Sequence, residues 1–264
     1  MKKSDVLPYI KCISENYWRA LKQSPKKYNL KTLKSDQVVL LVSPHPDDEA
    51  ISGGLALRLK NELGFCIINV PFSLGSKVSR QSERLEELKN ACQHLGFTLT
   101  PPLTKGSEKN ELLQLIGKHK PSIVITCHDQ DGHKTHEECS RLVQQALQES
   151  DFKGKIVFHE FWQPQKSPNL LLELSEDNVS KMVEALLFHQ GEIERNPYHL
   201  RLPFTLADNS RRGSELVGGV EKASQEILYS VLLTLGKMQR NAFVADSGKI
   251  MISSSDELFL TFGN

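Results

Sequence analysis

Short runs of apolar residues recur along the first two thirds of the chain, and each run gives way to a segment of a different periodicity. Strands that are buried on both faces of a parallel sheet have continuous apolar sequences instead of alternating ones. We predict strands at such runs, which are residues 37–43, 65–72, 121–127 and 155–162 and, more weakly, 97–99 and 170–174.

Segments with helical spacing lie between these runs. The clearest is residues 82–96, in which Leu85, Leu88 and Leu95 share one side and Gly96 supplies a typical helix end. Comparable spacing predicts helices at residues 6–21, 51–64, 108–118, 136–148, 177–189 and 221–236. Strands and helices that alternate with short connections predict an α/β fold, with a Rossmann-like, mostly parallel sheet and helices on both faces.

The two ends of the chain depart from this alternation. Residues 1–35 are predicted to form an N-terminal helical extension that ends in a lysine-rich link. After residue 162 we expect a smaller C-terminal α+β portion, with a loop-rich stretch at 191–215 and short strands beyond Phe243. No shift in composition marks a linker, so we predict a single domain over residues 1–264.

Composition limits the kinds of binding partner and the cellular compartment that we expect. The chain has 264 residues and a formal net charge of +1, which lacks the basic excess expected of a nucleic-acid-binding protein. No apolar run is long enough to cross a bilayer, and the N-terminus lacks the apolar stretch of a secretory signal. The five cysteines are scattered, without CxxC spacing, which favours reduced thiols in the cytoplasm.

Histidine and acidic side chains gather directly after the first predicted strand, in Pro44-His45-Pro46-Asp47-Asp48-Glu49. In open α/β sheets, ligands bind beyond the carboxyl ends of the strands. His45 and Asp48 are three residues apart, so both face the same way if the chain turns helically after Pro46. An imidazole nitrogen and a carboxylate oxygen together suit zinc or a similar divalent ion.

A second cluster follows the strand at 121–127 and contains His128, Asp129, Asp131, His133 and His136. A catalytic zinc ion usually has a third protein ligand, and this cluster offers one if the two strands are neighbours. A single histidine at such a place is more often structural, and acids after a strand can cap a helix. Two clusters at matching strand ends favour a metal site.

The sequence resembles the PIG-L/LmbE-like zinc-dependent N-acetylglucosaminyl deacetylases. The segment 44–49 matches the signature of that family. Looser similarities occur at Ser73-Leu74-Gly75, in the helix with Arg84, Glu87, Ala91, Leu95 and Gly96, at Gly132-His133-Lys134-Thr135-His136, at Glu160-Phe161-Trp162-Gln163-Pro164, and at Lys181, Ala185 and His189. The sequence departs from the family pattern at residues 134–135 and 191–192, where we expect substrate choice to be set.

The resemblance implies a role for each matched residue. His45, Asp48 and His136 would hold one zinc ion per chain, although another divalent ion such as Fe²⁺ fits the same ligands. Asp47 would be the general base toward the attacking water, and His133 would stabilise the oxyanion and protonate the leaving amine. Arg84, Trp162 and His189 would contact the substrate.

The substrate implied by the family is a small N-acetylated amino-sugar conjugate. A purely structural role stays open for three residues. Arg84 could pair with Glu83 or Glu87, Trp162 could be a core residue, and His189 could be a hydrogen-bonded structural histidine. Two other functions also stay open, a non-heme iron enzyme and a non-catalytic binding protein on the same fold. The N-terminal extension could pack on the domain or mediate homo-oligomer formation.

Overall fold

A computed structural model describes residues 1–24, 33–218, 226–239 and 242–263 of the chain. Its strands form one nine-stranded sheet. They are β1 (Val38–Ser43), β2 (Cys66–Pro71), β3 (Thr98–Leu99), β4 (Ile123–Cys127), β5 (Lys155–His159), β6 (Leu170–Glu173), β7 (Ser230–Gln239), β8 (Ala242–Ala245) and β9 (Ile250–Ile252).

Helices cover both faces of this sheet. They are α1 (Val6–Ala20), α2 (Asp48–Ile51), α3 (Gly54–Leu63), α4 (Val78–Leu95), α5 (Glu108–His119), α6 (Lys134–Glu149), α7 (Glu176–Leu186), α8 (Gln190–Arg195), α9 (Tyr198–Gly213) and α10 (Ser255–Phe262). Within the described ranges, every helix is too short or too polar to cross a membrane.

The strand order is β3-β2-β1-β4-β5-β7-β6-β9, with β8 paired to β7. Strands β1 to β5 pair in parallel, whereas β7 runs antiparallel to β5, β6 and β8. The predicted α/β fold with a mostly parallel sheet is therefore confirmed. Because β1 and β4 are parallel neighbours, the segments that follow them emerge at the same edge of the sheet.

Each face of the sheet has its own apolar core, because successive side chains of a strand point to opposite faces. Val39 and Leu41 of β1 pack in the cluster that includes residues of α1, α3, α4 and α7, and Leu40 and Val42 pack in the cluster with α5 and α6. Trp18 of the N-terminal helix is buried in the first cluster. The N-terminal extension thus contributes to the core of the domain.

The C-terminal portion differs most from the sequence prediction. The helix predicted at 221–236 is wrong from residue 230 onward, where the chain forms β7, and residues 219–225 lie outside the described residues. β7 lies between β5 and β6 with its first seven residues buried, so its sequence is apolar on both faces and carries no clear strand periodicity.

The stretch predicted as loop-rich at 191–215 contains α8, α9 and a π-helical turn at residues 214–218. Prolines often mark loops, yet Pro197 precedes the first residue of α9 and Pro203 lies inside the helix. The tail contains the expected short strands and also α10, which the sequence did not predict.

Candidate metal and catalytic site

The loop after β1 has a strained backbone at Asp47, whose φ is 115°. Positive φ is uncommon for residues other than glycine, and it is tolerated best by aspartate and asparagine. The Asp47 N–H donates to Oε2 of Glu49 over 3.0 Å, and Oε1 of Glu49 lies 2.7 Å from Nε2 of His189. Glu49 and His189 are both fully buried, so this pair fixes the loop from behind.

Three potential metal-binding atoms converge beyond β1 and β4. Nδ1 of His45 lies 3.2 Å from Nε2 of His136 and 3.6 Å from Oδ2 of Asp48. Nε2 of His136 and Oδ2 of Asp48 are 3.4 Å apart. His45 and Asp48 are brought together by the start of α2, because the His45 N–H donates to Oδ2 of Asp48 over 2.8 Å. His136 comes from the first turn of α6.

These distances fit a tetrahedral zinc ion. Two ligands at about 2.1 Å from such an ion lie about 3.4 Å from each other, which is close to all three separations in this triad. Asp48 is 1% exposed, and its second oxygen, Oδ1, is buried with no hydrogen-bond partner among the described residues. A buried carboxylate oxygen without a hydrogen-bond partner is costly, and a bound cation would supply the missing partner.

Asp131 sets the orientation of His136. Oδ1 of Asp131 lies 3.0 Å from Nδ1 of His136, which leaves Nε2 facing Asp48 and His45. Burial lowers the pKa of His136, but the carboxylates of Asp48 and Asp131 outweigh it and the net shift is upward. A carboxylate behind a histidine is the usual support of a metal ligand.

The electrostatics of Asp48 follow from the same neighbours. Burial acts to raise the pKa of its carboxyl group, but His136 and His45 act against it and bring the pKa to about 2. Asp48 is therefore ionised at neutral pH, as a metal ligand must be.

His133 offers a competing grouping of three histidines. One ring nitrogen from each of His45, His133 and His136 lies within 4.8 Å of the others. The oxygen of Asp48 is closer to the nitrogens of His45 and His136 than that limit, at 3.6 and 3.4 Å. These separations make Asp48 a candidate for the third position of the triad, beside the His133 of the three-histidine grouping.

Asp47 is 7% exposed and lines the same cavity as the triad. Burial raises its pKa well above the usual range, and the negative charges of Asp48, Glu49 and Glu192 add to the effect, while Arg84 opposes it. A carboxylate with raised proton affinity next to a metal site is suited to accept a proton.

His133 lies across the site from Asp47 and stacks on Trp162. Their ring centroids are 5.8 Å apart with an interplanar angle of 19°. Burial lowers the pKa of His133, and the neighbouring His136 and His45 lower it further. The indole face of Trp162 instead favours the protonated form of His133, because an aromatic ring attracts a cation placed over it.

Arg84 of α4 binds the backbone of two loops. Its guanidinium donates to the carbonyl oxygens of Leu74 and Pro46 over 3.0 and 3.1 Å, and it lies 3.4 Å from Oε1 of Glu192. The predicted pairs with Glu83 and Glu87 belong instead to Arg80. Arg84 thus holds the catalytic loop and faces the cavity at once.

A cavity of about 980 Å³ opens over the triad. Of the residues predicted to form the site, seven line it: His45, Asp47, Asp48, Arg84, His133, His136 and Trp162. His189 does not, since it lies beneath the loop against Glu49. Trp162 is 50% exposed, so it is a wall of the cavity and not a core residue.

The sequence did not predict Phe161, Glu192 and Tyr198 as site residues, although all three line the cavity. The ring of Phe161 stacks on His136. Burial together with the charges of Asp47, Asp48 and Glu192 raises the pKa of Tyr198 to about 12, so its hydroxyl group stays protonated. Glu192 and Tyr198 lie in the region expected to be loop, and the departure from the family pattern at 192 was their one signal.

Comparison with known proteins finds one family model that matches part of the chain. Residues 40–147 match the family model of PIG-L, described as GlcNAc-PI de-N-acetylase. A probable N-acetyl-α-D-glucosaminyl L-malate deacetylase 2 from Bacillus cereus is 27% identical over 144 residues, which is 46% of this chain and 66% of that protein. The match thus spans just under two thirds of the relative's length.

Solved structures share the fold at lower identity. The N,N′-diacetylchitobiose deacetylase from Pyrococcus horikoshii matches with a TM-score of 0.58 and 16% identity, over 75% of this chain and 83% of that one. A 4-carboxy-2-hydroxymuconate hydratase from Pseudomonas putida matches with a TM-score of 0.58 and 19% identity, over 75% and 95%. These two solved proteins share the fold and are named for different reactions. Over residues 40–147, the resemblance predicted from the sequence motifs is confirmed by the family match.

Proposed function

We propose that the chain is a metal-dependent hydrolase that removes the N-acetyl group from an amino-sugar conjugate, and the match of residues 40–147 to the PIG-L family model supports this proposal. The observation that carries the proposal is the convergence of His45, Asp48 and His136 within 3.2–3.6 Å, with Asp47 beside them in one open cavity. Each group that amide hydrolysis requires has a residue in this cavity.

We propose zinc as the metal, held by the nitrogen atoms of His45 and His136 and the oxygen of Asp48. Such an ion supplies a Lewis acid that polarises an acetyl carbonyl and lowers the pKa of water to about 7. The same ligands are compatible with Fe²⁺, so the identity of the metal is part of the proposal.

Asp47 acts as the general base in this proposal. Its carboxylate accepts the proton of the attacking water, and burial, which raises its pKa, strengthens it as a base. The Glu49–His189 pair keeps the carboxylate in place through the Asp47 backbone, so the strained loop is rigid when the proton moves.

His133 acts on the other side of the amide. A ring N–H of His133 donates to the acetyl oxygen as negative charge develops there, and that charge raises the proton affinity of the ring. The stacked indole of Trp162 also favours the protonated ring. The ring takes up a proton from solvent as this charge develops, and the resulting imidazolium gives a proton to the leaving nitrogen, which makes the amine a better leaving group.

The rest of the cavity binds the sugar. Tyr198 presents a protonated hydroxyl group, Glu192 presents a carboxylate, and Trp162 presents an apolar face on which a sugar ring can stack. Arg84 is already bonded to Leu74, Pro46 and Glu192, so we propose that it positions the loops and contacts the substrate with its remaining edge.

We propose that the protein works in a reducing compartment such as the cytoplasm. All five cysteines are free thiols, and Cys92, Cys127 and Cys139 are buried. A protein exported to an oxidising compartment would more often carry paired cysteines.

The test is a deacetylation screen of purified, metal-analysed protein against a panel of N-acetylated amino-sugar conjugates, with release of the free amine as the readout. We expect turnover with zinc, loss of turnover on chelation, and recovery on adding zinc back. Absence of amine release from every conjugate with one equivalent of bound metal would contradict the deacetylase proposal. Turnover that requires both iron and dioxygen would support the iron enzyme instead.

A further inference from the structure

A second cavity of about 570 Å³, here called the side cavity, lies next to the metal site. Pockets for drug-sized ligands have volumes of about 300–1,000 Å³. α9 forms one wall, and the segments that follow α2 and β5 and begin β7 form the others. Its lining is mainly apolar and includes Ile51, Leu202, Leu206, Val231 and Leu232.

The side cavity adjoins the cavity over the metal site. Phe161 and Tyr198 line both cavities, and their ring centroids are 5.7 Å apart. Phe161 also stacks on His136, with ring centroids 5.9 Å apart. The two rings thus form a shared wall, and a ligand whose amide lies at the metal site would reach the side cavity over the edge of that wall.

The charges around the side cavity favour an uncharged occupant. The carboxylate of Glu160 accepts hydrogen bonds from both terminal nitrogens of Arg212, over 2.7 and 3.1 Å. Asp208 accepts from Arg211 over 2.8 Å. Arg201 lies at the exposed mouth, where solvent screens its charge.

Two polar atoms in the wall have no hydrogen-bond partner among the described residues. They are Oγ of Ser52 and Nδ1 of His159, in residues that are 5% and 3% exposed. Burial lowers the pKa of His159 to about 4, so its ring is neutral. Both atoms are covered in this structure, but rotation of the small Ser52 side chain would turn its hydroxyl group toward a ligand oxygen.

We propose that the side cavity binds the aglycone of the substrate, an uncharged alkyl or aryl group with at most one hydroxyl or ether oxygen. The proposal rests on the deacetylase function proposed above, since it assumes that the N-acetyl sugar occupies the metal site. Phe204, which is 59% exposed at the mouth, would be covered by such a group.

The test compares methyl and n-hexyl N-acetyl-β-D-glucosaminide as substrates of the zinc-loaded full chain. We expect the methyl group to be too short to enter the side cavity and the hexyl group to be long enough. We expect the KM for the hexyl glycoside to be at least tenfold lower. Thr205 lines the cavity from an exposed position of α9, so Thr205→Trp adds a ring there without disturbing the core.

Thr205→Trp is expected to raise the KM for the hexyl glycoside to that of the methyl glycoside. The control is Leu200→Trp, which adds the same ring to α9 at a partly exposed residue outside the side-cavity lining. We expect this control to keep the preference. Equal KM values in the unaltered protein, or an equal loss on both glycosides in Thr205→Trp, would overturn the side-cavity proposal.

Calorimetric binding to the metal-free protein separates this proposal from the proposed function. Tighter binding of the hexyl than of the methyl glycoside, with no deacetylation of either after zinc loading, would leave the side cavity standing and count against the deacetylase. Turnover of both glycosides without any preference in binding or KM would support the deacetylase and count against the side-cavity proposal.

Discussion

Asp47 combines an unusual backbone conformation with the chemistry assigned to a general base, and the two can be tested together. Asparagine tolerates the positive φ and preserves the side-chain shape, but it cannot accept the proton. We expect Asp47→Asn to bind metal as the unaltered protein does and to lose about 10²–10⁴-fold in kcat. Metal analysis and amine release measure the two effects, and full activity would exclude Asp47 as the base.

Single substitutions also distinguish Asp48 from His133 as the third metal ligand. We propose Asp48 as the third ligand, because its Oδ2 lies 3.6 and 3.4 Å from the ring nitrogens of His45 and His136. Asp48→Ala should therefore lose tightly bound metal, whereas His133→Phe should retain it and lose activity. Equilibrium dialysis with zinc gives the two stoichiometries, and the opposite result would assign the site to the three histidines.

At the scale of elements, the loop between β1 and α2 is held by the buried Glu49–His189 pair, whose two residues lie outside the loop. Glu49 in α2 bonds to His189, the residue before α8, and both side chains are fully buried. His189→Phe leaves the Glu49 carboxylate buried without that partner, which should cost about 3 kcal/mol in the free energy of unfolding.

His189→Gln is the matched control, because its amide N–H₂ group can still donate to Glu49. We expect it to recover part of the stability and of the activity that His189→Phe loses. Urea denaturation followed by circular dichroism measures the difference. Equal stability of the two variants would show that the hydrogen bond to Glu49 is not what holds the loop.

The sequence predicted the elements whose periodicity is strong and local. The strands β1, β2, β4 and β5 and the helices between them were found because buried parallel strands and amphipathic helices leave different patterns. β7 was missed because a strand buried between two others is apolar throughout, as part of a buried helix is. The helix α9 was also missed, in a stretch predicted to be loop-rich, where packing against the sheet keeps the segment helical although Pro203 lies inside it.

The site was predictable to the extent that its residues were adjacent in sequence. His45, Asp47 and Asp48 follow one strand, and His133 and His136 follow its neighbour, so strand pairing brings them together. The position of His189 behind the loop was not predictable, because a histidine in an apolar helix gives no sign of which side it faces. Phe161, Glu192 and Tyr198 enter the cavity through tertiary packing alone.

At the scale of the whole molecule, His159 links stability to pH. Burial lowers its pKa to about 4, against an ordinary value of 6.5, so the unfolded chain takes up a proton at a higher pH than the folded one. The stabilisation is full above pH 6.5 and is lost as the pH falls toward 4. The expected slope is at most about 1.4 kcal/mol per pH unit.

The measurement is the free energy of unfolding of the metal-free protein between pH 7 and 4.5, for the unaltered chain and for His159→Gln. The variant should show a smaller decrease over this interval, because glutamine does not titrate. Identical pH profiles would show that His159 is not buried as a neutral group in the folded protein.

The central claim is that His45, Asp48 and His136 together hold one divalent cation. A crystal structure of the zinc-loaded protein, with data collected on both sides of the zinc absorption edge, tests it most directly. We predict one anomalous peak per chain, at about 2.0–2.2 Å from Nδ1 of His45, Nε2 of His136 and Oδ2 of Asp48. A peak bound by His133 in place of Asp48, or no peak in this cavity at full zinc loading, would contradict the account.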